Sequence, residues 1–146
     1  MTKILVLQGA NMNWLGRREP HIYGTTTADE LDAMLRAHAE DHGYAIEIVY
    51  HNHEGDAIDA LYAAEAGDVD AVLMNPGGLC YTGFALRDCM KGIELPVVEV
   101  HMSNHYARKI ESVTGEAAAG VVLGFGIDTY LIGLDATLRL LKKRRG

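Results

Sequence analysis

Ala71-Val72-Leu73-Met74-Asn75-Pro76-Gly77-Gly78 is the stretch that decides the fold, with four apolar residues in a row, one Asn and a Pro-Gly-Gly turn. A short apolar run bounded by turn residues fits a strand covered on both faces, because a half-exposed strand would alternate with polar residues. The same kind of run recurs outward from it in both directions. Lys3 to Leu7 reads as a first strand, Ala45 to Tyr50 as a second, Ala71 to Met74 as a third, Val97 to Val100 as a fourth and Val121 to Phe125 as a fifth. Helical patterns fill the intervals. Thr27 and Glu30 have the spacing of a capping box, and Leu31, Met34, Leu35 and His38 then give one buried stripe at i, i+3, i+4 and i+7. Gly43 ends that helix. Ile58, Leu61 and Tyr62 share a face of the next helix, another lies around Gly83 to Lys91, and Leu131, Leu134, Leu138 and Leu141 line the inner face of the last. Strands of this kind separated by helices predict a parallel sheet sandwiched between helical layers. The expected class is α/β, a flavodoxin-like three-layer sandwich with a five-stranded parallel sheet. At 146 residues the expectation is a single domain, 1–146.

Composition narrows the partners. Twenty acidic against 13 basic residues give a formal charge of −7, which disfavours nucleic acid, whose binders gain affinity by neutralising phosphates. A local Arg and backbone N–H groups can still receive a small anion. The run Lys142, Lys143, Arg144, Arg145 reads as a solvated helix end, where cations suit the dipole. Cys80 and Cys89 give neither a disulfide framework nor metal-ligand spacing. No signal-peptide pattern is visible, and no apolar stretch approaches the roughly 20 residues needed to span a bilayer. A cytoplasmic protein without a membrane partner is the expectation.

In open parallel sheets ligands sit beyond the carboxyl ends of the strands, and the unusual polar residues fall there. Asn11 and Asn13 follow the first strand, Asn52 and His53 the second, Asn75 the third, and His101 and Ser103 the fourth. The long segment Gln8 to Thr27 has the length of a functional lid and holds Arg17, Arg18, Glu19 and Tyr23. A free tyrosine, with a pKa near ~10, is a poor base at neutral pH, but an adjacent guanidinium favours the phenolate. Arg18 and Tyr23 can therefore supply a base; the plainer alternative has Tyr23 packed under the loop and Arg18 paired with Glu19. Glu99 and His101 alternate along a strand and so share a face. A carboxylate beside an imidazole orients it and favours its protonated form, which suits a general acid, although a purely structural pair has the same spacing. His51, Asn52, His53 and Glu54 offer ligand types for a metal, but neighbours on a strand point oppositely, so no metal site is expected there. Asn52 and Glu54 read instead as capping and first-turn residues. Asn75 to Gly78 forms a turn whose backbone N–H groups can approach an anion, without the glycine spacing of a dinucleotide or phosphate-loop motif. Together these groups suggest removal of a proton next to a carbonyl.

Four segments carry a more specific likeness. LQGANMNWLGRREPHIYG (7–24), HNHEG (51–55), NPGGLCYTGFALRD (75–88) and PVVEVHMSNHYAR (96–108) resemble, in order, the motifs of type II 3-dehydroquinate dehydratases, and the resemblance extends from Lys3 to Leu138. It implies a homododecamer of four trimers, no cofactor and no metal. It also implies a small oxo-acid substrate, with loss of water from 3-dehydroquinate through an enolate to give 3-dehydroshikimate. By the same resemblance Tyr23 is the base that takes the C2 proton, Arg18 activates it, and Asn11 holds a water against the enolate oxygen. His101 protonates the departing C1 hydroxyl with Glu99 behind it. Asn75 and the backbone at Met102 and Ser103 receive the carboxylate, and Asp88 is lent across a trimer interface.

The chain departs from that pattern in places. Tyr81 stands where the family usually has His, and Ser112 where it usually has Arg; both family residues contact ring hydroxyls far from the carboxylate. Gln8 and Ala10 replace a usual Asn and Pro, and Trp14 an aliphatic residue. His105 and Tyr106 are candidate replacements for the lost contacts, and a shifted loop could bring Arg108 there. The alternative reading is thus a divergent member that applies enolate chemistry to a different hydroxy or oxo acid, altered at the distal end. Retention of Tyr23, Arg18, Asn11 and His101 argues against a catalytically idle oligomer.

Overall fold

The computed structural model describes residues 1–146. Five strands, β1 (Lys3–Ala10), β2 (Ala45–Tyr50), β3 (Ala71–Gly77), β4 (Val97–His101) and β5 (Gly120–Leu123), form one sheet in the order β2-β1-β3-β4-β5. Every pairing is parallel. The helices are α1 (Pro20–Tyr23), α2 (Ala28–His42), α3 (Glu54–Ala66), α4 (Leu79–Thr82), α5 (Phe84–Gly92) and α6 (Asp128–Arg144). This is the expected flavodoxin-like arrangement.

Two apolar layers explain the unbroken apolar runs. Ile4, Val6, Leu73, Val98 and Val100 face Leu31 and Leu35 of α2 and Tyr130 and Leu134 of α6. Their chain neighbours Leu5, Leu7, Val72, Met74 and Val97 face Ala57 and Leu61 of α3 and Leu86 and Met90 of α5. Successive side chains on a strand point to opposite faces, so a sheet covered on both sides needs apolar residues at every position.

The strands that build the site run further than their apolar cores. β1 and β3 continue in register past Leu7 and Met74, with Gln8 opposite Asn75 and Ala10 opposite Gly77. Glycine permits this: a Cβ on Gly9 would collide with the backbone of Pro76, and one on Gly77, at φ 56°, with the carbonyl of Ala10. β5 is shorter than expected, because the chain turns away at Gly124 (φ 98°).

The capping box is present, with the Glu30 N–H donating to Thr27 Oγ1 and the Thr27 N–H to Glu30 Oε1. His38 lies at the margin of the α2 stripe and joins two elements, its ring nitrogens lying 2.8 Å from the Tyr44 hydroxyl and from Asp135 Oδ1 of α6. Two helix faces differ from expectation. α3 buries Ala57, Leu61 and Ala64, leaving Tyr62 exposed, since small residues let α3 pack close to the sheet. The inner line of α6 is Tyr130, Gly133, Leu134, Thr137 and Leu141, with Leu131 and Leu138 only partly buried. No helix is long and apolar enough to cross a membrane.

Candidate active site

A cavity of about 110 Å³ opens at the carboxyl ends of β1, β3 and β4. Asn11, Asn75, His101, Met102 and Ser103 reach it from the strand ends, Arg18 and Tyr23 from the segment before α2, and His105, Arg108 and Ile110 from the loop after β4.

The segment between β1 and α2 is more ordered than a plain loop, holding a 3₁₀ turn at Met12–Trp14 and the single-turn helix α1. Pro20 opens α1 and Gly24 closes it, so Tyr23 is delivered at a fixed helix end. The Arg18 guanidinium lies 4.8 Å from the Tyr23 ring centroid and Arg108 5.9 Å from it. Arg18 is also 3.9 Å from Glu19, so its guanidinium lies beside both the Tyr23 ring and that carboxylate. Asn11 adopts left-handed φ 69°, and its N–H donates to Asn52 Oδ1 at 2.8 Å. Asn52 therefore braces Asn11 and does not cap α3, whose N-cap is His53, without a side-chain bond. Glu54 accepts the Leu86 N–H and ties α3 to α5. Asn13 is exposed and does not line the cavity.

On β4 the His101 Nε2–H donates to Glu99 Oε2 at 2.8 Å. Glu99 has no solvent exposure and also accepts the hydroxyls of Ser112 at 2.6 Å and of Thr114. Burial alone would raise its pKa, but the bonds from His101, Ser112 and Thr114 outweigh burial and hold the carboxyl below its ordinary value. Ser112 is thus committed to Glu99 and does not line the cavity. Its Oγ in turn accepts the Gly115 N–H at 3.1 Å.

Asn75 is locked from two sides. Its Oδ1 accepts the Gly77 N–H at 3.0 Å, and its Nδ2 donates to the Tyr130 hydroxyl at 2.7 Å. Tyr130 then donates to Gln8 Oε1 at 2.8 Å, and burial holds its phenol far above the usual range, hence neutral. One Asn75 Nδ2 hydrogen remains for a ligand. Ser103 Oγ accepts from Arg108 at 2.8 Å. Tyr81 lines the cavity and is half-exposed, whereas Cys80 is buried in its wall, its thiol pushed up to about 11 by burial and then by the Glu99 carboxylate. Asp88 lies outside, 3.5 Å from Arg87 and largely exposed. The His and carboxylate side chains close enough to share a cation, His38, His42 and Asp135 (ligand atoms within 4.8 Å), lie between α2 and α6, away from this cavity.

The sequence reading had no roles for Tyr130 and Thr114. Tyr130 is an aromatic on the inner line of α6, and nothing local marks its hydroxyl. Thr114 meets Glu99 from 15 residues away.

The comparisons agree with this architecture. The family described as Dehydroquinase class II matches residues 2–138. The chain is 47% identical over 136 residues to 3-dehydroquinate dehydratase 1 of Corynebacterium efficiens, covering 91% of this chain and 89% of that one. It is 40% identical to catabolic 3-dehydroquinase 1 of Aspergillus fumigatus, covering 97% and 95%. The crystal structure of the type II dehydroquinase from Propionibacterium acnes superposes with a TM-score of 0.88 at 33% identity, covering 94% and 96%. On this likeness in sequence and in fold, the chain belongs to the class II dehydroquinase family.

Proposed function

We propose that the protein is a hydro-lyase that removes water from 3-dehydroquinate to give 3-dehydroshikimate. The observation that carries this reading is that Tyr23, flanked by two guanidinium groups, and His101, bonded from behind by Glu99, line one cavity. Tyr23, as phenolate, takes the proton alpha to the ketone, and the electron pair moves into the carbonyl to form an enolate. A water held by Asn11 answers the charge on the enolate oxygen. His101, oriented by ionised Glu99, then protonates the C1 hydroxyl, which leaves as water while the enolate collapses to the conjugated enone. Asn75 and the backbone at Met102 and Ser103 receive the carboxylate, consistent with the fixed orientation of Asn75. The chemistry calls for no cofactor.

The test is turnover of 3-dehydroquinate, followed by the ultraviolet absorbance of the enone. Wild-type protein is expected to turn over, and Tyr23→Phe to lose about 10²–10⁴-fold or more in kcat while ligand affinity stays within a few-fold. A Tyr23→Phe enzyme with ordinary kcat would remove the phenol from the mechanism.

One observation favours a second reading, a member acting on an acid altered at its distal end: Ser112 is bonded to Glu99, and the cavity wall carries His105 and Arg108 instead. Turnover of 3-dehydroquinate with ordinary efficiency rules that reading out. The reading also includes a cytoplasmic location and assembly as a dodecamer of four trimers, with Asp88 reaching a neighbour's cavity. Exposed Asp88 lies one turn along α5 from the exposed aromatic Phe84, which supports contact on that face.

A further inference from the structure

Of the polar side chains that wall the cavity, His105 alone keeps a buried hydrogen-bonding atom without a partner. The residue is 3% exposed, and its ring meets that of His101 edge-on, with centroids 4.5 Å apart and planes at 74°. Its Nδ1 lies 2.6 Å from the carbonyl oxygen of Ile110. A carbonyl only accepts, so Nδ1 carries the proton, and in a neutral imidazole Nε2 is then an acceptor. The ring is therefore pinned with a lone pair that no protein group answers. Such an acceptor is costly to leave unmade and gains most from a ligand that brings a donor. Tyr106, next along the chain, is exposed and does not line the cavity.

We propose that His105 determines substrate specificity: its Nε2 accepts a hydrogen bond from a hydroxyl group of the bound hydroxy acid. This rests on the dehydratase reading for the identity of the substrate. It also gives the cavity a hydroxyl-reading group where Ser112 supplies none, since the Ser112 hydroxyl is spent on Glu99. A site built around such an acceptor discriminates against analogues that lack the donor. The competing donor is a water in the neighbouring hollow, which His105 also borders together with Glu99, Glu111 and Ser112.

Two measurements on the full-length protein test the proposal. In steady-state kinetics with 3-dehydroquinate, His105→Leu is expected to raise KM about tenfold or more, with kcat within a few-fold. His105→Gln, which keeps an acceptor, is expected to recover part of the loss. In ¹⁵N NMR, the His105 Nε2 signal is expected at the position of a free acceptor in the unliganded protein, moving to that of a bonded one as 3-dehydroquinate is titrated into Tyr23→Phe protein. A folded His105→Leu enzyme with unchanged KM overturns the inference and leaves the dehydratase reading intact. An Nε2 signal already in the bonded position without ligand assigns the acceptor to water and also overturns it. A wild-type protein that does not turn over 3-dehydroquinate removes the dehydratase reading and, unless the NMR signal still moves on titration, this inference with it.

Discussion

At Glu99 three donors meet one carboxylate that has no solvent exposure. The donors decide its charge, because without them burial would favour the neutral acid. Thr114→Val removes one donor and keeps the shape, at a cost of about 1–3 kcal/mol for leaving a buried charge less well bonded. The sign of the pH effect follows from the depressed folded-state value. Such a carboxylate adds stability above its unfolded pKa and loses that contribution as pH falls through the folded value. Thr114→Val raises the folded value, so acid unfolding is expected to begin at higher pH than in wild type, as read from urea midpoints on going from neutral to acidic buffer. An unchanged acid limb would mean that Thr114 does not hold the charge. The Glu99–His101 pair was legible in the sequence because a strand repeats every two residues. The Ser112 and Thr114 bonds were not, because they close across 13 and 15 residues of irregular chain.

The capping box at the start of α2 is an element-scale feature that the sequence displays directly and the fold contains. Thr27→Ala removes the Oγ1 acceptor of the Glu30 N–H and is expected to lower stability by about 1 kcal/mol, seen as a reduced urea midpoint with unchanged slope. The same segment leads back to Tyr23, so a larger loss in turnover than in stability would show that α2 also anchors the site. The strands were legible only in part. Their apolar cores appear in the sequence, but the continuation of β1 through Ala10 and β3 through Gly77 depends on Gly9 meeting Pro76 and Gly77 meeting Ala10 across the sheet, which a one-dimensional pattern cannot display. In α3 the buried face is Ala57, Leu61 and Ala64, without Tyr62, because side-chain size, and not polarity alone, decides what fits against a sheet.

For the whole molecule, exposed Phe84, one turn from Asp88 on α5, sets the next expectation. Light scattering is expected to give a mass that is a multiple of three chains of 15.9 kDa, and Phe84→Asp to break that assembly and lower activity with it. A monomer with full turnover would end the idea that Asp88 serves a neighbour. The order β2-β1-β3-β4-β5 also bears on how the chain matures as it is made. β1 emerges from the ribosome first yet sits inside the sheet, able to pair with β2 early but waiting for β3 on its other edge. Tyr130, which joins Gln8 of β1 to Asn75 of β3, belongs to the last helix, α6. Until α6 docks, the growing chain presents a half-covered apolar sheet without the Tyr130 tie between β1 and β3, which makes that interval the one in which it most needs shelter from aggregation.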